Sequence, residues 1–300
     1  MDHAKSDQLR PISKNPIGRQ ADGSTGAANR RDAALRWLLC RGVLIPVFFT
    51  FACLTLISGL LGEPAAAAPA GCRSISDGDS SYVVCTFDMR QNRRPAELRL
   101  FLAGGDSKPY GGLAALAEAL KQRGELLVFG MNAGMFQTDL RPVGLFVEAR
   151  RMIHRVNQRD GSGNFHLKPN GIFYFGGHTA GIMATSAFVR SGLKPEYATQ
   201  SGPMLVINGA IHPKIQASGT SRKIRNGVGV RDGHLVIFAI SEDPVTFYRF
   251  ASLFRDRLSC PNALYLDGSV SSLYAPALGR AGGLRPLGPI VGVVEKAVGR

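Results

Sequence analysis

The residues of this chain that could do chemistry sit at the mouths of short apolar runs. Ala263-Leu264-Tyr265-Leu266-Asp267-Gly268-Ser269 is the clearest case, with four apolar residues between Pro261 and Gly268 ending in a carboxylate. Such a run predicts a strand buried on both faces. Gly268 lets the backbone turn sharply after it, and Ser269, Ser271 and Ser272 keep the rim hydrophilic. Asp267 therefore either acts on a ligand or caps a turn through its own backbone. Arg225 lies in the cationic stretch Ser221-Arg222-Lys223-Ile224-Arg225-Asn226. Its planar fork suits two oxygens of a phosphate, and the alternative is a pairing with a surface carboxylate. Asn132 closes the run Leu126–Met131 at a Gly-containing turn, where its amide either holds a ligand or satisfies backbone groups. The segment 161–170 is amide-rich and cationic, and His166, Lys168 and Asn170 lie in it. It reads as a loop over an anionic or sugar ligand, or as a long hairpin connection. Gln200 and Ser201 precede Gly202-Pro203 at the entry to another strand.

The elements that must position these groups are mostly strands. Tyr82–Phe87 and Leu98–Leu102 read as a pair separated by the polar turn 90–95. Leu126–Met131, Leu145–Val147, Ile172–Phe175 and Met204–Ile207 follow, the last closed by Asn208-Gly209. Gly227–Val230 and Leu235–Ile240 make a hairpin, and Ile290–Val294 is the final strand. Two helices are expected. Gly111–Arg123 carries an apolar stripe of Leu113, Leu116, Ala117 and Leu120, with Gly124 as its stop. The other starts at Asp243 as N-cap with Pro244 at its first position, and buries Phe247, Phe250, Ala251, Phe254 and Leu258. The fold class is α+β: one strand-rich domain of mixed sheet with two main helices, spanning 72–300.

The first seventy residues differ in kind from the rest. Residues 1–36 are polar and lack periodicity, which predicts a disordered basic tail. Val43–Leu61 is an uncharged apolar run long enough to cross a bilayer, within a signal or transmembrane segment at 37–62. Arg30, Arg31, Arg36 and Arg41 precede it and Glu63 follows, which predicts a cytoplasmic N-terminus and an exported domain. Small residues in the linker 63–71 would allow cleavage, and without cleavage the run is a single-pass anchor. The expected location is the periplasm or the outer face of the inner membrane. An oxidising compartment allows a disulfide between Cys72 and Cys85, and leaves Cys260 as a core thiol. Residues 1–71 hold eight Lys or Arg and five Asp or Glu, so +11 of the formal +14 lies beyond them. A basic exported domain favours anionic ligands. Nucleic acid is disfavoured, because no basic helix, zinc module or aromatic RNA signature is present. No metal or other cofactor is expected; calcium held by Asp267 with backbone carbonyls is the alternative, and no Asp-rich loop supports it.

Taken together, four polar turns occur in one order: Asn132-Ala133-Gly134-Met135-Phe136, Ser201-Gly202-Pro203-Met204-Leu205-Val206 with Asn208-Gly209, Arg225-Asn226-Gly227-Val228-Gly229, and Leu266-Asp267-Gly268-Ser269. This order resembles the phosphodiester glycosidase family over roughly Val83–Val294, with Gly163-Asn164-Phe165 and Lys168-Pro169-Asn170-Gly171 as marks of its bacterial branch. Met135 and Ser269 depart from the eukaryotic-type pattern. The resemblance implies a hydrolase that cleaves a sugar-1-phosphodiester in a cell-envelope or extracellular glycan; the alternative is a non-catalytic envelope module binding phosphorylated polysaccharide. It implies Asp267, Arg225 and Asn132 as catalytic groups. His166, Lys168, Asn170, Gln200, Ser201, Gly268 and Ser269 would bind substrate, and Asp139 or Glu242 would supply a second carboxylate.

Overall fold

The computed structural model of the chain describes residues 71–92, 96–105 and 107–297. The expected tail, the apolar run 43–61 and the linker up to residue 70 lie outside them, while Gly71 already opens a strand. No helix among the described residues is long and apolar enough to cross a membrane.

Three sheets surround one core. The first orders Gly71–Asp77, Ser80–Asp88, Leu235–Ser241, Asn226–Arg231, Asn262–Asp267, Met204–Ile207 and Ala210–Ile211. The second runs Arg280–Ala281, Leu273–Ala275, Glu125–Asn132, Ile290–Lys296 and Ala96–Phe101. The third runs Arg151–His154, Phe146–Glu148, Tyr197–Ser201, Gly171–Gly176 and Thr179–Ala184. The fold is α+β as expected, but not of mixed sheet: every strand pairing among the described residues is antiparallel.

Side-chain alternation explains the layering. In Asn262–Asp267, Leu264 and Leu266 join the core shared by all three sheets, together with Phe129, Phe173 and Phe238. Ala263 and Tyr265 face the opposite way, onto the helix Phe247–Ser252. The Asp267 strand is thus buried on both faces, between Asn226–Arg231 and Met204–Ile207. A helix covers the outer side of each sheet. Leu113–Lys121 lays Leu113, Leu116 and Leu120 against Leu127, Ile290 and Val294. Thr185–Ser191, which the sequence did not announce, brings Phe188 onto Ile172 and Ala198 and ends at Gly192 with φ 66°.

Several expected details shift. Tyr82–Phe87 and Leu98–Leu102 form strands but do not pair; the former meets Leu235–Ser241 in the first sheet and the latter Ile290–Lys296 in the second. The polar segment between them passes from one layer to another, which periodicity alone cannot reveal. The helix of residues 247–252 begins three residues later than expected. Val245 exchanges both backbone hydrogen bonds with Lys223 (2.9 and 3.2 Å), so its backbone is held extended. Thr246 becomes the N-cap, its hydroxyl accepting from the Arg249 N–H, while Asp243 accepts from the Ser81 N–H (2.8 Å). The helix then loosens into a π-helical turn, Leu253–Arg257, before the Asp267 strand. Both hairpin predictions hold, with Asn208 and Gly209 at φ 48° and 82° as a primed turn demands. Cys72 and Cys85 face each other across the first two strands and are disulfide-bonded, and Cys260 is buried and free.

Candidate active site at the Asp267 turn

Asp267 caps the turn through its own backbone, as one of the two readings of its sequence expected. One carboxylate oxygen, Oδ1, accepts from the Ser269 and Val270 N–H groups and builds the turn. No described group hydrogen-bonds to Oδ2. The residue lines a cleft of about 470 Å³ with Gly268, Ser269, Phe136, Asn164 and His166. His166 enters from the short 3₁₀ turn Asn164–His166, set edge-on to Phe165. Its Nδ1 lies 3.1 Å from the Arg159 carbonyl. A carbonyl only accepts, so Nδ1 is the donor there, and Nε2 has no hydrogen-bond partner among the described residues. The segment 161–170 is no hairpin connection: its flanking strands, Arg151–His154 and Gly171–Gly176, are separated in the sheet by two others. It crosses the sheet end and walls the cleft.

Behind the turn lies a web of buried polar groups that ties the three sheets together. Asn132 Nδ2 donates to Asn226 Oδ1 (3.2 Å), and Asn226 Nδ2 returns to the Asn132 carbonyl (3.0 Å). Asn132 Oδ1 accepts from the Ser272 N–H (3.0 Å). Ser201 Oγ donates to the Leu266 carbonyl (3.0 Å), pinning the third sheet to the Asp267 strand. Gln200 Oε1 accepts from the Leu145 and Asn157 N–H groups, while its Nε2 donates to the Asn157 carbonyl and Thr185 Oγ1. All three side chains are buried and line none of the clefts around the turn. Their amides and hydroxyl hold the walls around the turn, and none of them lines the cleft beside Asp267.

Arg225 also differs from its expected role. It is 1% exposed, and each nitrogen donates inside the protein: Nε to the Val245 carbonyl (2.9 Å), Nη1 to Tyr265 Oη (3.2 Å) and Nη2 to the Ser221 carbonyl (2.9 Å). The guanidinium stacks 3.7 Å over Phe247. Burial lowers the Arg225 pKa and pushes the Tyr265 phenol up to about 12, so the phenol is neutral near pH 7. This unit props the turn from beneath. A Cβ added to Gly268 would lie 1.9 Å from Tyr265 Oη, which is why glycine follows Asp267.

The remaining predicted residues occupy the surroundings. Lys168 pairs with Asp160 (2.6 Å) and lines a separate cleft of about 300 Å³ with Asn170, whose amide donates to the Phe165 carbonyl (2.9 Å). The two candidate second carboxylates are neutralised elsewhere: Asp139 by Arg141 (2.6 Å) and Glu242 by Arg280 (2.7 Å). Neither lines the cleft of Asp267, which is the only carboxylate among its described lining residues. Among the described residues no group of three or more His, Cys, Asp or Glu side chains is assembled for a metal ion.

Sequence reasoning did not assign Phe136, Asn164, Lys223 or Arg285 to the site. The first two stood inside the recognised motifs, and the charged stretch 221–226 pointed to the third. Arg285 carried no local signal.

Comparison with known proteins gives the family and the fold. A family model described as phosphodiester glycosidase matches residues 126–294. An uncharacterized Escherichia coli (strain K12) protein, YigE, is 33% identical over 183 residues, covering 61% of this chain and 71% of that one. The auto-inhibited catalytic domain of zebrafish N-acetylglucosamine-1-phosphodiester alpha-N-acetylglucosaminidase superposes with a TM-score of 0.51 at 13% identity, covering 75% of this chain and 81% of that one. At that identity the likeness is one of fold.

Proposed function

This chain belongs to the phosphodiester glycosidase family, and from that premise we propose that it hydrolyses the bond between a sugar's anomeric carbon and a phosphate oxygen in an exported glycan. The observation that carries the reading is the division of labour within one carboxylate: Oδ1 of Asp267 is fixed by the turn and Oδ2 is left for the cleft. A carboxylate in that position stabilises the oxocarbenium-like state or takes a proton from attacking water. His166 Nε2, without a hydrogen-bond partner among the described residues, serves as the second proton carrier. Water oxygen bonds to the anomeric carbon as the phosphate departs with the bonding electrons. Phosphate is a fair leaving group, so the absence of a second carboxylate from the cleft lining is no obstacle.

In this reading Arg225, Asn132, Gln200 and Ser201 are positioning residues. Lys168 and Asn170, beside the neighbouring cleft, contact the more distant part of the glycan. Export fits the Cys72–Cys85 disulfide, which belongs to an oxidising compartment. It also fits the apolar run at 43–61, whether that run is cleaved or remains as an anchor. The expected partner is an anionic, phosphodiester-linked sugar, and the membrane is a second one if the run stays.

The test is Asp267→Asn. The amide oxygen still accepts from Ser269 and Val270, so the turn and the melting temperature are retained. Hydrolysis of an N-acetylglucosamine-1-phosphodiester should fall by about 10²–10⁴-fold. Unchanged turnover would remove Asp267 from the mechanism. Saturable binding with the glycan recovered intact from the wild type would mark a binding module instead.

A further inference from the structure

Two hollows share the Asp267 turn. Gly268, Ser269 and Val270 line both the His166 cleft and a second hollow of about 670 Å³. Its functional groups are Lys223, Arg285 and the hydroxyls of Ser269, Ser271 and Ser272, with no carboxylate among the described lining residues. Two other basic residues are already spent, since Arg280 is paired with Glu242 and Arg225 is enclosed. Lys223 is exposed, and its ammonium has no hydrogen bond or ion pair with any described residue. Its backbone, by contrast, is pinned on both sides to Val245, so the ammonium projects from a fixed base. Arg285 Nη1 donates to the Ser269 carbonyl (2.9 Å), which holds the guanidinium at the rim and leaves its other nitrogens without a hydrogen-bond partner among the described residues. Ser269 Oγ likewise has none among them. Two cations and a hydroxyl thus converge on a hollow that shares one wall with the carboxylate cleft, and the net field there attracts anions.

We propose that this hollow is the phosphoryl-binding subsite, with Lys223 and Arg285 as its specificity-determining residues. The inference rests on the hydrolase reading only for the identity of the anion. The sugar lies on the His166 side, the phosphoryl group on the Lys223 side, and the scissile bond over the ridge formed by Asp267–Ser269. Separating the phosphate from Asp267 in this way keeps the substrate's negative charge away from the one carboxylate of the other cleft. It also replaces Arg225, which is enclosed, as the source of phosphate recognition. Affinity from two exposed cations is screened by salt, so binding should weaken as ionic strength rises.

The test uses the full chain and three probes: inorganic phosphate, a phosphate monoester and free N-acetylglucosamine, each titrated by calorimetry at low salt. Lys223→Gln removes an ammonium with no partner among the described residues, and Arg285→Gln removes one exposed hydrogen bond to the Ser269 carbonyl, so neither should lower the melting temperature appreciably. Each substitution should weaken phosphate and monoester binding about tenfold, and the double variant more, with N-acetylglucosamine binding unchanged. In turnover of the phosphodiester, KM should rise while kcat stays nearly constant. Wild-type phosphate affinity in both variants, or equal loss for the neutral sugar, overturns the subsite. Because phosphate binding is read without turnover, the two readings fail separately. A chain that binds phosphate through Lys223 and Arg285 but cleaves nothing sinks the hydrolase and keeps the subsite. A hydrolase with unaltered KM in both variants does the reverse.

Discussion

Substituting Gly268 by alanine tests whether the Tyr265–Arg225 unit supports the Asp267 turn. The new Cβ would stand 1.9 Å from Tyr265 Oη, 3.2 Å from Tyr265 Cζ and 3.5 Å from the Ile224 carbonyl. A carbon under 3.0 Å from a neighbour forces movement, so something must yield by at least 1.1 Å. Tyr265 cannot easily retreat: it is 1% exposed, accepts from Arg225, and has Phe247 edge-on with ring centroids 4.7 Å apart. Overpacking of this kind costs about 1–3 kcal/mol, and loosening the Arg225 hydrogen bond adds about 1 kcal/mol or more. A total of about 3 kcal/mol lowers the melting temperature of a domain this size by about 6–12 °C. Calorimetry on the purified chain measures it. Tyr265→Phe removes the offending oxygen, at the cost of stranding an Arg225 N–H. In the double variant the clash is therefore partly relieved, and the loss should be smaller than the sum of the two single losses by about 1 kcal/mol or more. Gly268→Ala melting like the wild type, or strict additivity in the double variant, would refute the reasoning.

Other perturbations probe the frame around the site. Asn132→Ala leaves the Ser272 N–H without a partner in a buried setting, while Asn226 Oδ1 keeps the Ser271 hydroxyl, and should cost about 1–3 kcal/mol in urea unfolding. Burial raises the Glu148 carboxyl to about 7 from 4.5, with Arg151 opposing. The unfolded chain therefore loses that proton first, and stability should fall as pH rises from about 4.5 to about 7 and then level off. Glu148→Gln should flatten that segment of the stability–pH curve, whose drop is at most about 3 kcal/mol and less where solvent screens the charge. Replacing Cys72 and Cys85 by serine opens a loop of sequence separation 13 and should cost at most about 3 kcal/mol, read as a lower denaturation midpoint under non-reducing conditions.

Much of this protein could be read from residue order alone, because local physics decides it. The buried Asp267 strand, the helix 113–121 and both hairpins follow from alternation, helical stripes and Asn-Gly or Asp-Gly turns, which act within a few residues. The four polar turns identified the family because their order along the chain survives whatever the side chains contact. Only the tertiary structure decided which polar groups face outward. Arg225 and Asn132 have the chemistry of ligand-binding residues, yet packing surrounds one with carbonyls and a phenol and the other with a partner amide. Pairing of Tyr82–Phe87 with a strand more than a hundred residues away, and the delayed start of the helix at Phe247, likewise depend on distant partners. The hollow shared by Lys223 and Arg285 belongs to the same class: two cations far apart in sequence meet only because separate sheets end at one turn.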